Sequence, residues 1–206
     1  MGIYTENIFK MNLEREKENF KNHIATFTDY GNIKILDFKE PNSSHYRIRF
    51  LFEEDYYRLH ISGDLGQLIA TNYCNMTFEK FDDFVNNTGY FEEKIDCHDR
   101  ALYIYDEEET RKDLKKYIED NYLLNCITDS CFYEDDDEKM EDFLNSILSD
   151  FSYDTGIGHD GYKALCEVDS GAWEYVYSLG KKETGILDLY MLAFKLAMEQ
   201  LNKENK

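Results

Sequence analysis

Four short runs between residues 33 and 73 decide the fold: IKILDF (33–38), YRIRFLF (46–52), YRLHIS (57–62) and QLIATNY (67–73). In these runs apolar side chains alternate with polar or basic ones, which is the period of a strand with one buried and one exposed face. Glycines in the sequence GDLG separate the third run from the fourth, as in a tight turn. The pattern predicts an antiparallel meander of about four strands.

Helical spacing replaces this alternation on both sides of the predicted sheet. Residues 5–22 predict an amphipathic N-terminal helix. Further helices are predicted at residues 77–85, 106–124, 137–148 and 184–201. The last of them has the widest apolar face and needs to be buried. We therefore expect an α+β protein in which an N-terminal helix and an antiparallel sheet are followed by a mostly helical C-terminal half.

The composition is that of a folded protein. With 206 residues, 17 Tyr and 14 Phe, the chain can bury a substantial core, whereas a disordered acidic chain would lack these aromatics. We expect an antiparallel-sheet α+β region at residues 1–100 and an acidic helical region at residues 101–206, packed on the sheet as one compact unit.

The cysteines and the apolar runs indicate a cytoplasmic protein. Five cysteines occur without a CxxC pair, and the chain starts without a basic and apolar leader. No apolar run approaches the roughly 18 to 20 residues that span a bilayer. These features predict a soluble protein in a reducing compartment.

Negative charge is concentrated in one window. Residues 106–160 hold 18 Asp and Glu against 5 Lys and Arg, so they carry −13 of the net charge of −20. Two acidic runs, DEEE (106–109) and EDDDE (134–138), lie at the starts of predicted helices. Such a field attracts basic partners and repels nucleic acid and anionic membranes.

The acidic window supplies the predicted partner-binding residues. An aromatic side chain beside the acids would add a shape-specific contact to the charge. The predicted set is Asp106, Glu107, Glu108, Glu109, Tyr133, Glu134, Asp135, Asp136, Asp137, Glu138, Glu141 and Asp142.

The strands also predict a basic exposed face. Arg47 and Arg49 alternate with apolar residues on one strand, and Arg58 does so on the next. We expect these cations to pair with nearby acids such as Glu53 or with the acidic helices, as surface charges commonly do. Whether this face binds anything stays open.

Three segments match the sequence motif of a ligand site but lack the neighbouring residues that such a site needs. GIGHDG (156–161) matches G-x-G-x-x-G, but Asp150 and Asp154 precede it and would repel phosphate. The same acids lack the glycine and glutamate that an EF-hand needs. DCHD (96–99) has no further zinc ligands at a suitable spacing. We expect no cofactor, no metal and no catalytic residue.

Parts of the sheet and of the C-terminal region resemble a known group of proteins. The stretches are YRIRF (46–50), YRLHISGDLG (57–66) and AWEYVYSLG (172–180), which leads to LAFKLAMEQL (192–201). Together they cover about a third of the chain and resemble small acidic proteins carried by phages and mobile elements of Gram-positive bacteria. The resemblance places Gly63 and Gly66 in a hairpin turn and Trp173 in the core.

That group includes inhibitors of host defence, among them anti-CRISPR and antirestriction proteins. The resemblance therefore implies an anti-defence role inside a bacterial host cell, and it transfers no catalytic residue. Combined with the acidic window, it predicts an inhibitor that blocks a basic nucleic-acid-binding protein, such as a CRISPR effector nuclease, by acidic mimicry. It would bind no nucleic acid itself.

Other functions stay open at this point. An immunity or antitoxin protein that neutralises a basic toxin would use the same electrostatics. A solubilising surface would explain the acids equally well. A metal-dependent enzyme acting on RNA or nucleotides is the alternative from a different class, although no nucleophile motif is present.

Overall fold

A computed structural model describes residues 12–121, 123 and 136–204. The chain forms two compact units. The first unit runs to Leu102 and resumes at Gly185, and the second unit spans Tyr103–Thr184. The sequence suggests a single division near residue 100, whereas the chain crosses between units twice and its last helix belongs with the sheet.

The two units contain eight strands and several helices within the described residues. The strands are β1 (Ile24–Asp29), β2 (Ile33–Lys39), β3 (Ile48–Glu53), β4 (Arg58–Gly63), β5 (Leu68–Thr71), β6 (Ile95–His98), β7 (Tyr103–Tyr105) and β8 (Lys181–Glu183). The helices are α1 (Leu13–Asn19), α2 (Asp82–Val85), α3 (Thr88–Glu92), α4 (Glu107–Asp120), α5 (Asp136–Ile147), α6 (His159–Val168) and α7 (Ile186–Glu204). Short 3-10 turns occur at Phe78–Lys80, Ala172–Glu174 and Val176–Ser178.

The first unit is built on an antiparallel sheet, as expected, but the sheet has six strands rather than four. Strands β1 to β6 are neighbours in chain order. The sequence misses β1 and β6 because neither shows clear alternation: Ile24 at the start of β1 is half exposed, and β6 contains a single aliphatic residue, Ile95. Both are edge strands, where burial constrains the sequence least.

Helix α7 covers the apolar face of this sheet. The ring of Phe194 lies 5.3 Å from that of Phe50, 6.3 Å from that of Phe52 and 4.8 Å from that of Phe81, all in edge-to-face geometry. Each of these rings is fully buried. Aromatic pairs of this kind contribute about 0.5–1.5 kcal/mol beyond the area they bury. The predicted buried final helix is confirmed.

Gly63, the last residue of β4, lies against the backbone of Arg47, the residue before β3. Gly63 has φ +150°, and a Cβ at this position would collide with the carbonyl oxygen of Arg47. Gly66, in the connection to β5, has φ +113°. Both glycines therefore lie in the turn region between β4 and β5 that the sequence predicts. Gly63 also allows the end of β4 to lie close to the start of β3.

The second unit has its own core and its own paired strands. Strands β7 and β8 are antiparallel, with Tyr103 opposite Glu183, so the chain enters and leaves this unit side by side. Helices α4, α5 and α6 contribute buried residues to one apolar cluster, including Leu114, Leu144 and Leu165. The helix predicted at residues 106–124 is α4, and that predicted at 137–148 is α5.

Helix α6 begins at His159, within the GIGHDG segment, where the carboxylate of Asp150 accepts the amide of Asp160 and caps the helix. One expectation for this unit is wrong: the resemblance places Trp173 in the core, but its side chain is 60% exposed. In the 3-10 turn that carries it, Ala172 takes the inward position and is fully buried.

No helix in the described part of the chain is long and apolar enough to cross a membrane.

The packing of Phe194 predicts a large cost for its truncation. Replacing Phe194 by Ala should lower the free energy of unfolding by about 3–5 kcal/mol, because it leaves a cavity among four aromatic rings. Urea unfolding would measure this loss. Tyr73→Ala is the control: Tyr73 is 98% exposed, so this variant should change stability by less than about 0.5 kcal/mol. Equal losses in the two variants would contradict the assigned core.

Candidate functional site

The first predicted acid, Asp106, has a structural role. Its carboxylate accepts a hydrogen bond from the amide of Glu109 at 2.9 Å, which caps α4, and pairs with Lys182 at 3.3 Å. Partial burial acts to raise the pKa of Asp106, but the Glu109 amide and the Lys182 ammonium outweigh it and lower the pKa. This side chain is therefore committed to holding α4 against β8.

Two other predicted acids are neutralised within the unit. Glu109 pairs with Lys112 at 2.7 Å, one turn along α4. Glu141 on α5 pairs with Arg111 at 3.1 Å and lies 3.7 Å from Lys115. The pairs of Glu141 tie α4 to α5, and all of these ion pairs reduce the charge available to a partner.

Four further acids of the predicted set are unpaired within the described part of the chain. Glu107, Glu108, Glu138 and Asp142 form no ion pair with any residue that the structure describes, and the last three are exposed. Asp136 and Asp137 open α5. Three predicted residues lie outside the described residues: Tyr133, Glu134 and Asp135.

Helices α4 and α5 run antiparallel, so the acids at the end of α4 lie near the start of α5. Arg111 donates to the side-chain oxygen of Asn145 at 2.8 Å, whereas Lys115, one turn later on α4, reaches back to Glu141. The end of α4, with exposed Glu119 and Asp120, therefore lies at the same end as the start of α5. At 1.5 Å per residue, the acidic start and end of α4 are about 16 Å apart.

Among its described residues, the same unit exposes three large aromatic side chains. Trp173 is 60% exposed, Tyr177 61% and Tyr153 63%. Tyr105 connects two of them: its amide donates to the carbonyl of Tyr153 at 2.9 Å, and its hydroxyl donates to the carbonyl of Tyr177 at 3.1 Å. Because Asp106 follows Tyr105 directly, the backbone segments of Tyr153 and Tyr177 lie near the acidic first turn of α4. We call Tyr153, Trp173 and Tyr177 the aromatic patch.

A carboxylate holds the segment that carries this patch. Asp169 accepts hydrogen bonds from the hydroxyls of Tyr117 at 2.8 Å and Tyr175 at 3.0 Å, and from the amide of Gly171 at 2.8 Å. The rings of Tyr117 and Tyr175 stack with centroids 3.8 Å apart. Since Tyr117 is on α4, this network fixes the 3-10 turns of Trp173 and Tyr177 to the acidic helix.

The G-x-G-x-x-G letters do not form a phosphate site. The carboxylate of Asp150 accepts the amides of Asp160 at 2.9 Å and Gly161 at 3.1 Å, at the start of α6. It occupies the position that a phosphate takes in a nucleotide-binding loop. A Cβ at Gly158 would collide with this carboxylate, so the glycine serves the cap.

The DCHD segment forms β6 and its end. Its side chains have separate partners: Asp96 accepts the hydroxyl of Thr71 at 3.2 Å, and Asp99 accepts the amide of Gln67 at 2.7 Å. Among the described residues, no group of three or more His, Cys, Asp or Glu side chains could hold a metal ion.

The predicted basic face of the sheet is largely self-neutralised. Arg49 donates two hydrogen bonds to Asp37, at 2.7 and 2.8 Å, and Arg58 pairs with Glu53 at 3.4 Å. Pairing with nearby acids is thus confirmed for these two cations. Arg47 is the exception, because it forms no ion pair within the residues that the structure describes.

Comparison of the chain with protein-family models, with curated proteins and with solved structures found no match. Function therefore has to be inferred from the residues of this chain.

Sequence reasoning finds the acidic window but misses two of its parts. Glu119 and Asp120 lie near the start of α5 only because α4 and α5 pack antiparallel. That packing cannot be read from a single sequence. Their position at a helix C-terminus, where the dipole disfavours acids, was the available signal. The sequence around the aromatic patch has no periodic pattern that would distinguish exposed aromatic residues from buried ones.

The Asp169 network predicts a pH-dependent stability. Partial burial acts to raise the pKa of Asp169, but the Gly171 amide and the two tyrosine hydroxyls outweigh it and lower the pKa. The ionised carboxylate therefore stabilises the fold above its unfolded pKa of about 3.9, and this contribution is lost as pH falls through the lower folded pKa. Unfolding of wild type and Asp169→Asn at several pH values would measure it.

We expect Asp169→Asn to be less stable than wild type by a constant amount above about pH 5, and this difference should shrink on acidification. Asp142→Asn removes an exposed, unpaired carboxylate and should show little pH-dependent difference. A deficit in Asp169→Asn that does not change with pH would contradict the assigned role.

Proposed function

We propose that this protein is an inhibitor encoded by a phage or mobile element, and that its second unit binds a basic nucleic-acid-binding protein of host defence. A CRISPR effector nuclease is the partner we favour, because its nucleic-acid channel and PAM-reading site are rich in Lys and Arg. The observation that carries the proposal is the aromatic patch, which lies in the same unit as the unpaired acids.

Charge and aromatic contacts have different roles in such a complex. Exposed acids such as Glu108 and Glu138 speed the encounter with a basic surface and make it sensitive to salt. Trp and Tyr side chains supply the buried contact area that slows dissociation. A surface with both kinds of residue meets the requirements of a specific interface.

A purely solubilising surface accounts for the acids but not for the aromatics. Contiguous exposed apolar patches are kept small on surfaces that bind nothing, whereas single exposed tyrosines such as Tyr73 are ordinary. Trp173, the single tryptophan of the chain, is 60% exposed. Its exposure beside an acidic helix favours a binding role.

The acids that remain unpaired also favour binding. Internal ion pairs consume Asp106, Glu109 and Glu141, and these residues hold the unit together. Glu119 and Asp120 instead lie at the end of α4, where they oppose the helix dipole. Acids at this end lower the stability of the helix. Such a loss is expected where a basic partner interacts favourably with the same acids.

A competition assay tests the proposal. The protein would be added to a guide-loaded CRISPR effector, and binding of labelled target DNA would be followed by fluorescence anisotropy at low and high salt. We expect the protein to displace the DNA, and to do so less effectively at high salt. No displacement at low salt would remove the mimicry proposal. Inhibition of a basic toxin nuclease instead would favour an immunity protein.

Charge variants separate local from bulk effects. A quadruple variant, Glu107→Gln, Glu108→Gln, Glu138→Gln and Asp142→Asn, removes four unpaired acids from the second unit. The matched control neutralises four exposed acids of the first unit: Glu18→Gln, Asp82→Asn, Asp83→Asn and Glu199→Gln. We expect the first variant to bind the effector more slowly and the control to resemble wild type. Equal effects would indicate bulk charge alone.

Truncation of the aromatic patch should act on dissociation. Trp173→Ala is expected to weaken binding by at least about 2 kcal/mol, roughly 30-fold in Kd, mainly through a faster off-rate. Tyr73→Ala, which truncates an exposed aromatic of the first unit, serves as the control. An unchanged off-rate in Trp173→Ala would exclude the patch from the interface.

A further inference from the structure

A basic concavity lies on the face of the sheet opposite the core, in a protein whose net charge is −20. We call this face the open face. The concavity has a volume of about 370 Å³. The polar side chains that line it are Asp37, Lys39, Arg47, Arg49, Ser62 and Gln67.

The charges of this concavity do not cancel. Asp37 is engaged by Arg49 through two hydrogen bonds, which raise the pKa of the guanidinium. Lys39 and Arg47 are exposed, and within the described residues neither forms an ion pair. The concavity therefore carries a net charge of +2 from these two side chains.

The two free cations line the same concavity. The ladder between β2 and β3 ends at the pair Phe38–Ile48, and Lys39 and Arg47 are the residues directly beyond that pair on the two strands. Like charges that lie close together repel each other. An anion held between them removes this repulsion and satisfies both donors.

Arg47 is held in place by the residue before it. Tyr46 has φ +56°, a left-handed conformation that is unfavourable for a tyrosine. Its amide donates to Asp64 at 2.9 Å and its hydroxyl donates to Glu16 at 2.7 Å, so two side chains from different parts of the first unit fix this strained residue. Burial, and then the bond to Glu16, raises the pKa of the Tyr46 hydroxyl to about 12, so it stays a donor.

A second concavity of about 580 Å³ adjoins the first and shares Arg49, Ser62 and Gln67 with it. Its floor is apolar, because Leu51 and Ile69 lie on the open face on either side of His60. Two carboxylates, Glu53 and Asp99, line it. Glu53 pairs with Arg58 and His60, and Asp99 accepts the amide of Gln67, but a carboxylate has about four acceptor sites and can accept further hydrogen bonds. The two concavities together have the size and mixed lining of a small-molecule site.

We propose that the open face binds a small phosphomonoester of the nucleoside monophosphate class. The phosphate lies between Lys39 and Arg47, and the nucleoside lies over Leu51 and Ile69 with its hydroxyl and amino groups toward the two carboxylates. A phosphomonoester carries a charge of about −1.5 to −2 at pH 7, which matches the free cations better than a single carboxylate does. The guanidinium fork of Arg47 suits its oxygens.

This site is in the first unit and does not depend on the function proposed for the second unit. A titration of the full-length ¹⁵N-labelled protein by NMR tests it, with 5′-AMP, adenosine, ribose 5-phosphate and inorganic phosphate as separate probes. We expect 5′-AMP to shift the amide signals of Arg47, Ser62 and Gln67. Adenosine, which lacks the phosphate, and inorganic phosphate, which lacks the nucleoside, should each bind at least about tenfold more weakly, equivalent to 1.4 kcal/mol.

Variants locate the binding. Arg47→Ala and Lys39→Ala should each weaken 5′-AMP binding about tenfold or more, whereas Lys80→Ala, which removes an exposed cation elsewhere on the first unit, should leave it unchanged. Both substitutions are at exposed side chains, so the variants keep the fold, which their NMR spectra would verify.

Three results would overturn the proposal. The first is the absence of signal shifts with 5′-AMP at about 1 mM. The second is equal weakening by Lys80→Ala and Arg47→Ala, which would indicate bulk charge. The third is binding of a 5′-phosphorylated oligonucleotide without binding of free 5′-AMP, which would assign the phosphate to a nucleic-acid end rather than to a small molecule.

Discussion

The packing of α7 against the sheet is the contact on which the architecture depends. Phe194 inserts among four aromatic rings, those of Phe50 and Phe52 on the sheet and those of Phe78 and Phe81 in the segment after it. This helix comes after the whole second unit in the chain, so the chain has to return to the sheet at Gly185. Pairing of β7 with β8 brings the two crossing points together and lets the second unit be inserted without separating the sheet from its helix.

The two units use charge in opposite ways. In the second unit some acids are consumed by Arg111, Lys112 and Lys182, and the rest remain free at the ends of a helix pair. In the first unit acids neutralise most cations of the open face but leave Lys39 and Arg47. Because interactions between exposed charges are screened beyond about 8–10 Å, the electrostatic potential at each of these surfaces depends on its own side chains rather than on the net charge of the chain.

The sequence predicted the central strands because strict alternation is a local signal, and it predicted α7 because a broad apolar stripe has to be covered. It could not predict that Glu141 is neutralised by Arg111, since their pairing depends on how α4 packs on α5. The juxtaposition of Lys39 and Arg47 depends in the same way on strand register. Trp173 misled the prediction because residue type favours burial, whereas its 3-10 turn directs Ala172 inward.

The position of α7 also has a consequence for synthesis on the ribosome. Strands β1 to β6 are all translated before the 82 residues of the second unit, and α7 follows them. At synthesis rates of about 5–20 residues per second, those 82 residues take about 4–16 s. During that interval Phe50, Phe52 and Phe81 have no Phe194 to cover them, so the nascent chain presents an aromatic surface of the kind that chaperones bind.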